Sequence, residues 1–285
     1  MNVKILHVKR LLAILAVALV SASAALPLLP LAMASNCPRT LTQNFTLTSN
    51  CSYSGDGILL AANGITLNCA GYTLSYTGSS SNTYYGIFVG DGYVGDTVEN
   101  CILTGAWASG IFVEASSGST SVSPSGSTTV SPVTLKGNTV TGACYAFEVE
   151  YASNVQLAGN SATATTCSYP TGFYMDYVFN LQLSGNTAQS SYYGFYLEYG
   201  QGGSVTGNTA TGNSYGFYLY ETQYTLKSNK ADSNTYYGFY DDSYGPGTIG
   251  LGNTYISNEC HANQYTGSYD YAAYFGPAFL CTPQG

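Results

Sequence analysis

Tyr193 to Asn208 reads YGFYLEYGQGGSVTGN, and 22 residues on, Tyr215 to Asn229 reads YGFYLYETQYTLKSN. Thr171 to Asp176 (TGFYMD) and Tyr237 to Asp242 (YGFYDD) open in the same way. A glycine that precedes an aromatic or aliphatic residue therefore marks a repeating unit. The marks are Gly57, Gly86, Gly110, Gly172, Gly194, Gly216 and Gly238, with Ala146 standing in once. The last three steps are each 22 residues, and the earlier ones are 29, 24, 36 and 26. The unit persists while its loops vary. The 36-residue step holds a Ser/Gly/Thr/Pro stretch, 116–131, which reads as a loop inserted into one coil.

Within each unit apolar residues alternate with period two, the mark of a strand with one buried face. One residue after the anchor come Ile87, Ile111, Phe147, Phe173, Phe195, Phe217 and Phe239. Three after it come Val89, Val113, Val149, Met175, Leu197 and Leu219. Fourteen after it come Asn100, Asn160, Asn186 and Asn208, with Asn229 and Asn253 one residue off that spacing and Asn138 displaced by the insertion. Asparagine tolerates tight turns, and its amide can stack with copies above and below. Two residues past these Asn lies a further apolar column of Ile102, Val140, Ala162, Ala188, Ala210 and Ala231. Short strands, a fixed period and no helical periodicity predict an all-β, single-stranded, right-handed parallel β-helix, a solenoid of about eight coils. The predicted organisation is a signal peptide over 1–34, an N-terminal cap over 35–55, repeats over 56–258 and a C-terminal cap over 259–285.

Lys4, Lys9 and Arg10 precede an apolar run from Leu11 to Val20, the form of a secretory signal. Ala22-Ser23-Ala24 and Ala32-Met33-Ala34 are candidate cleavage sites, and Pro27 and Pro30 argue against one long spanning helix. Cleavage after Ala34 leaves four Lys and Arg against 15 acidic residues, a formal charge of −11. That balance disfavours nucleic acid and anionic membrane surfaces and suits neutral glycans and cations. Only 8% of residues are charged, against about 25% in ordinary domains. The 28 tyrosines are too many for a core alone.

Eight cysteines behind a signal peptide predict disulfides, and their spacing does not suggest zinc. Cys69 and Cys101 each follow a column Asn, which stacks them within disulfide reach. Cys37–Cys51 and Cys260–Cys281 would staple the caps, which leaves Cys144–Cys167 by elimination. Asn44-Phe45-Thr46 and Asn50-Cys51-Ser52 match the N-glycosylation pattern.

The runs GDGILLAANGITLNCAGYTL (Gly55 to Leu74) and YYGIFVGDGYVGDTVENCILTG (Tyr84 to Gly105) resemble the right-handed parallel β-helix repeat family. That group includes NosD-like periplasmic proteins and the pectin-lyase-like fold of polysaccharide enzymes, and the resemblance covers about Gly55 to Asn258. It is specific for fold and weakly so for function, because one scaffold hosts unrelated activities. The NosD-like members imply copper-site maturation. The residues that favour copper here, His261, Met175 and cysteines expected in disulfides, do not cluster in sequence. The lyases imply an Arg or Lys base. Lys136, Lys227 and Lys230 are the cations within the repeats, and none lies in the acidic column described next.

Four residues after the anchor come Glu114, Glu150, Asp176, Glu198 and Asp242, interrupted by Tyr220 with Glu221 next to it. Two after it come Phe88, Phe112, Tyr174, Tyr196, Tyr218 and Tyr240. A patchier column holds Tyr85, Tyr145, Tyr193, Tyr215 and Tyr237. Carboxylates beside aromatic rings suit a polysaccharide, and the plainer reading is a stacking ladder copied with the repeat. The candidate ligand-binding residues are Tyr174, Tyr196, Tyr218, Tyr240, Glu114, Glu150, Asp176, Glu198 and Asp242. Glu150, Asp176 and Glu198 are the candidate catalytic carboxyls. Neighbouring rungs, about 5 Å apart, and next-neighbours, about 10 Å apart, approach either glycosidase geometry, so spacing does not discriminate. Crowded carboxylates should raise some pKa values, and weak Ca²⁺ binding is the expectation for a chain that otherwise requires no cofactor.

The expected protein is thus a secreted, extracellular β-helix at the cell surface, non-catalytic, contacting polysaccharide or envelope material. The alternatives are a polysaccharide hydrolase or lyase acting from the acidic column, and a purely structural rod or filament subunit.

Overall fold

The computed structural model describes residues 37–79, 82–90, 94–114, 132–243, 252–264, 268–270 and 280–284. The predicted signal peptide, with both cleavage sites, and the inserted loop 116–131 lie outside the described residues. The described chain is all strand and turn. It winds through three parallel sheets, of ten, nine and ten strands. The first sheet runs from Thr40–Leu41 to Ser268–Asp270, the second from Phe45–Thr46 to Thr254–Ile256, and the third from Cys51–Tyr53 to Thr282–Gln284. Each strand pairs with its counterpart one coil before and one coil after, so the fold is a parallel β-helix. Parallel crossovers of this kind are right-handed.

Among the described residues the strands form nine complete three-stranded coils and a partial tenth, where about eight coils between two caps were expected. The segment expected as an N-terminal cap is itself the first coil. It has no glycine anchor, yet Leu41, Leu47, Cys51 and Tyr53 point into the core. At the other end Glu259–His261 completes the ninth coil, and Ser268–Asp270 and Thr282–Gln284 form the tenth.

Five phenylalanines explain the repeat's middle. Phe147, Phe173, Phe195, Phe217 and Phe239 are fully buried and stack face to face, with centroids 4.6–4.8 Å apart and planes within 4–7°. Each ring contributes about 1.5–3 kcal/mol of burial, and each contact about 0.5–1.5 kcal/mol more. The anchor glycine is fixed by close approach. A Cβ on Gly194 would lie 2.6 Å from the Gly216 carbonyl oxygen and 3.2 Å from the Ala210 Cβ, and Gly172 and Gly216 are equally crowded. Anchor glycines and the alanine column opposite them therefore require each other.

The asparagine column is a buried ladder of Asn138, Asn160, Asn186, Asn208, Asn229 and Asn258. Each backbone N–H from Asn138 to Asn229 donates to the side-chain oxygen of the next rung at 2.9 Å. Each amide nitrogen donates to a main-chain carbonyl, as Asn186 does to Leu157. The left-handed turn residue is the one before: Gly137, Gly159, Gly185 and Gly207, then Ser228 and Ser257. This corrects three assignments. Asn100 is itself the left-handed residue, and Cys101 occupies the column, donating its N–H to Asn138 Oδ1. Leu103, not Ile102, is accordingly the fully buried partner of Val140. Asn253 lies off the ladder, bonded to the Tyr224 N–H and to Asp241 Oδ2. A second ladder, Ser191, Asn213, Asn234 and Asn263, runs five residues beyond the first.

The four disulfides pair as the spacing predicts: Cys37–Cys51, Cys69–Cys101, Cys144–Cys167 and Cys260–Cys281. Cys69–Cys101 continues the asparagine ladder towards the N-terminus.

Candidate functional site

The outer face of the first sheet carries three parallel columns, because its strands pair in strict register. Glu114, Glu150, Asp176 and Glu198 occupy consecutive rungs; Tyr220 follows, then Asp242. Tyr174, Tyr196, Tyr218 and Tyr240 form the neighbouring column, with centroids 4.8–5.4 Å apart. Tyr193, Tyr215 and Tyr237 form the third. Tyr218 and Tyr240 stack at 4.8 Å and 9°, so each covers one face of the other. A sugar stacks on a ring face, so this part of the tyrosine wall acts first as a ladder.

The aromatic column breaks at one rung, where Glu148 stands between Phe112 and Tyr174. Anchor spacing alone passes over it, since the column is read by its rings. Glu148 is buried and hydrogen-bonds Ser109 Oγ. Burial, then the Glu150 charge, pushes its carboxyl up to about 8, while the Ser109 hydroxyl pulls the other way. Glu148 also hydrogen-bonds Glu150, holding the shared proton. Glu150 is raised as well, by burial and then by Glu114. Asp176 is 9% exposed, and burial, helped by Glu198 and Glu150, pushes it up to about 7. Its Oδ1 is buried without a hydrogen-bond partner. Glu198 is held by two phenols: Tyr174 donates to one carboxylate oxygen, and Tyr196 to the other at 2.9 Å.

A fourth column walls the carboxyls on their other side. Tyr151, Tyr177 and Tyr199 lie one residue beyond the acids, at the turn into the second sheet. Their rings stack with centroids 5.2 and 4.8 Å apart. Tyr151 is 42% and Tyr177 38% exposed. All three have left-handed backbones, with φ of 52°, 52° and 50°. A tyrosine there costs about 1–2 kcal/mol relative to glycine. The column is visible in the sequence at anchor plus five, but its exposure and turn geometry are not. The whole is a carboxyl furrow between two tyrosine walls. The cations of residues 37–284 stand elsewhere: Lys136 and Lys227 are on the second sheet, Lys230 and His261 on the third, and Arg39 precedes the first strand.

The Ca²⁺ expectation finds no such cage. Among the described residues no three His, Cys, Asp or Glu side chains are grouped to hold a metal ion.

A family model described as "Periplasmic copper-binding protein (NosD)" matches residues 123–274. The chain belongs to the NosD family. No curated protein matches the chain in sequence. Among solved structures, a mutant of the periplasmic alginate epimerase AlgG is similar at 10% identity and a TM-score of 0.39, over 85% of this chain and 73% of that one. As a NosD-family β-helix with four disulfides, the chain belongs outside the cytoplasm, in the periplasm or beyond it.

Proposed function

We propose that this β-helix is a non-catalytic polysaccharide-binding protein of the cell surface, laying an extended glycan along the furrow between the tyrosine walls. The observation that carries the reading is the Tyr151–Tyr177–Tyr199 stack beside the acid column, exposed at Tyr151 and Tyr177. Large aromatic rings stand in solvent at turn positions that glycine would occupy with less strain. Exposed strain of this kind marks sites where the side chain itself is needed. Phenols and carboxylates offer hydrogen bonds to sugar hydroxyls, and the ring edges and end faces offer contact to C–H surfaces. The negative furrow repels polyuronates and favours uncharged or cationic polymers.

A hydrolase reading has one observation in its favour. Glu148 and Asp176 hold protons near neutral pH beside Glu198, and a general acid needs a proton to give. Both readings are tested by one screen of the protein on a polysaccharide panel at acidic and neutral pH, with and without Ca²⁺. Retained protein without released oligosaccharide supports binding, and released fragments make the protein an enzyme. Retention of neither kind across envelope glycans sinks both and leaves a structural rod.

The family description names copper, and the copper-favouring residues described here do not fit it. Met175 is sealed in the core, His261 Nδ1 pairs with Asp232 at 3.1 Å, and all eight cysteines are in disulfides.

A further inference from the structure

The Asp176 carboxyl makes a demand that the chain does not meet. The Tyr177 N–H bonds this carboxyl, but its Oδ1 is buried and without a hydrogen-bond partner, on a residue nine-tenths buried. Glu150 and Glu198 flank it on adjacent rungs, Glu148 and Glu114 lie beyond, and the phenols facing it belong to Tyr151, Tyr174 and Tyr224. Five carboxyls thus line four consecutive rungs with no positive side chain of residues 37–284 among them. Protons take the place of counter-charges. A ligand that brings donors and positive charge together would satisfy both deficits.

We infer that the furrow is built for an amino-sugar polysaccharide, whose ammonium groups pair with the Asp176 carboxyl and with the neighbouring, more accessible carboxylates of Glu150 and Glu198. The inference rests on the glycan-binding reading and narrows its ligand class. Ammonium groups also suit the tyrosine walls, because phenol oxygens and the uncovered end faces of the stacks attract cations. A neutral sugar hydroxyl could donate to Asp176 but would leave the charges uncompensated. A bare metal ion is disfavoured, since the described residues do not form a three-ligand cage. Binding an ammonium at Asp176 must expel the proton held there, so association should release protons into solution.

The test is calorimetric titration of the full protein with a glucosamine hexamer and with its fully N-acetylated counterpart. It is run at about pH 5, where the amines are charged and Asp176 and Glu148 are protonated. Two buffers of different ionisation heat read the protons released. The expected result is at least about tenfold tighter binding of the amino form, with net proton release. Asp176→Asn, which keeps the side-chain shape, should lose about tenfold in affinity together with part of the release; Glu150→Gln is the second variant, should the first fold poorly. Glu259→Gln, an exposed acid on the third sheet, should change neither. Equal binding of the two hexamers without proton release overturns the inference and leaves the glycan reading standing. Binding of neither hexamer, nor of the longer polymers of the screen, overturns both. Equal losses in Asp176→Asn and Glu259→Gln reveal non-specific polycation binding and also overturn it.

Discussion

Asn186→Ala should be among the most damaging single changes in the chain, and its cost can be worked from the ladder. The Asn186 side-chain oxygen accepts from the Asn160 N–H and the Asn160 amide, both at 2.9 Å. Its nitrogen donates to the Leu157 carbonyl at 2.9 Å and to Asn208 Oδ1 at 3.0 Å. After the change the Asn160 amide still reaches the Leu135 carbonyl, and Asn208 Oδ1 still accepts the Asn186 N–H. Two groups lose this partnership outright: the Asn160 N–H and the Leu157 carbonyl bond to it. The site is 1% exposed, so water does not replace them. At about 1–3 kcal/mol for each unsatisfied buried group, the loss is about 2–6 kcal/mol. Asn186→Ser should recover about half, because Ser191 does the same work in the second ladder, its Oγ accepting from the Ala164 N–H at 3.1 Å. Gln189→Ala, on the exposed face with one 3.3 Å bond, should stay within about 0.5 kcal/mol. Urea unfolding, read by circular dichroism at constant m, measures all three. A loss below about 1 kcal/mol in Asn186→Ala would show that the ladder is ornament and the apolar stack alone holds the coils.

Other outcomes follow from the same structure. Glu148 and Asp176 have folded-state pKa values of about 8 and 7, above the unfolded values near 4, so the folded state binds more protons between them. Stability should therefore fall as pH rises from about 4 to 8, and Glu148→Gln should flatten the melting temperature against pH; a rise with pH would contradict this. Replacing Cys69 and Cys101 by alanine opens a loop with a sequence separation of 32 and should cost about 3–4 kcal/mol in the same urea assay. Gly194→Ala drives a methyl against the Gly216 carbonyl and should cost about 1–3 kcal/mol, whereas an unchanged midpoint would mean that the coils can separate freely.

The core was legible in the sequence because its constraints are repeated. The phenylalanines after Gly172, Gly194, Gly216 and Gly238 can only be a stack when the period is 22, and the alternation around them fixes which face is inside. The N-terminal end was less legible because the first coil lacks the anchor and shares only the inward apolar positions, such as Leu41 and Leu47. The ladder was misread by one residue at Asn100, because asparagine and a left-handed glycine serve adjacent positions and Asn100 takes the glycine's role. The acid column was legible as a pattern. What spacing does not carry is environment: that Asp176 is buried while Glu150 is only partly so, that Glu148 interrupts the rings, and that Tyr151 and Tyr177 stand outward on strained turns.

The most direct test of the furrow as a glycan site is affinity against oligosaccharide length, for the native protein and for the double variant Tyr151→Gly, Tyr177→Gly. Glycine relieves about 1–2 kcal/mol of turn strain at each position and forfeits stacking of similar size, so the fold should melt within a few degrees of the native protein. The account expects affinity to climb with chain length across rungs spaced about 4.8 Å apart, level off once the furrow is filled, and collapse in the double variant. Affinity independent of length, or unchanged in a folded double variant, would contradict it.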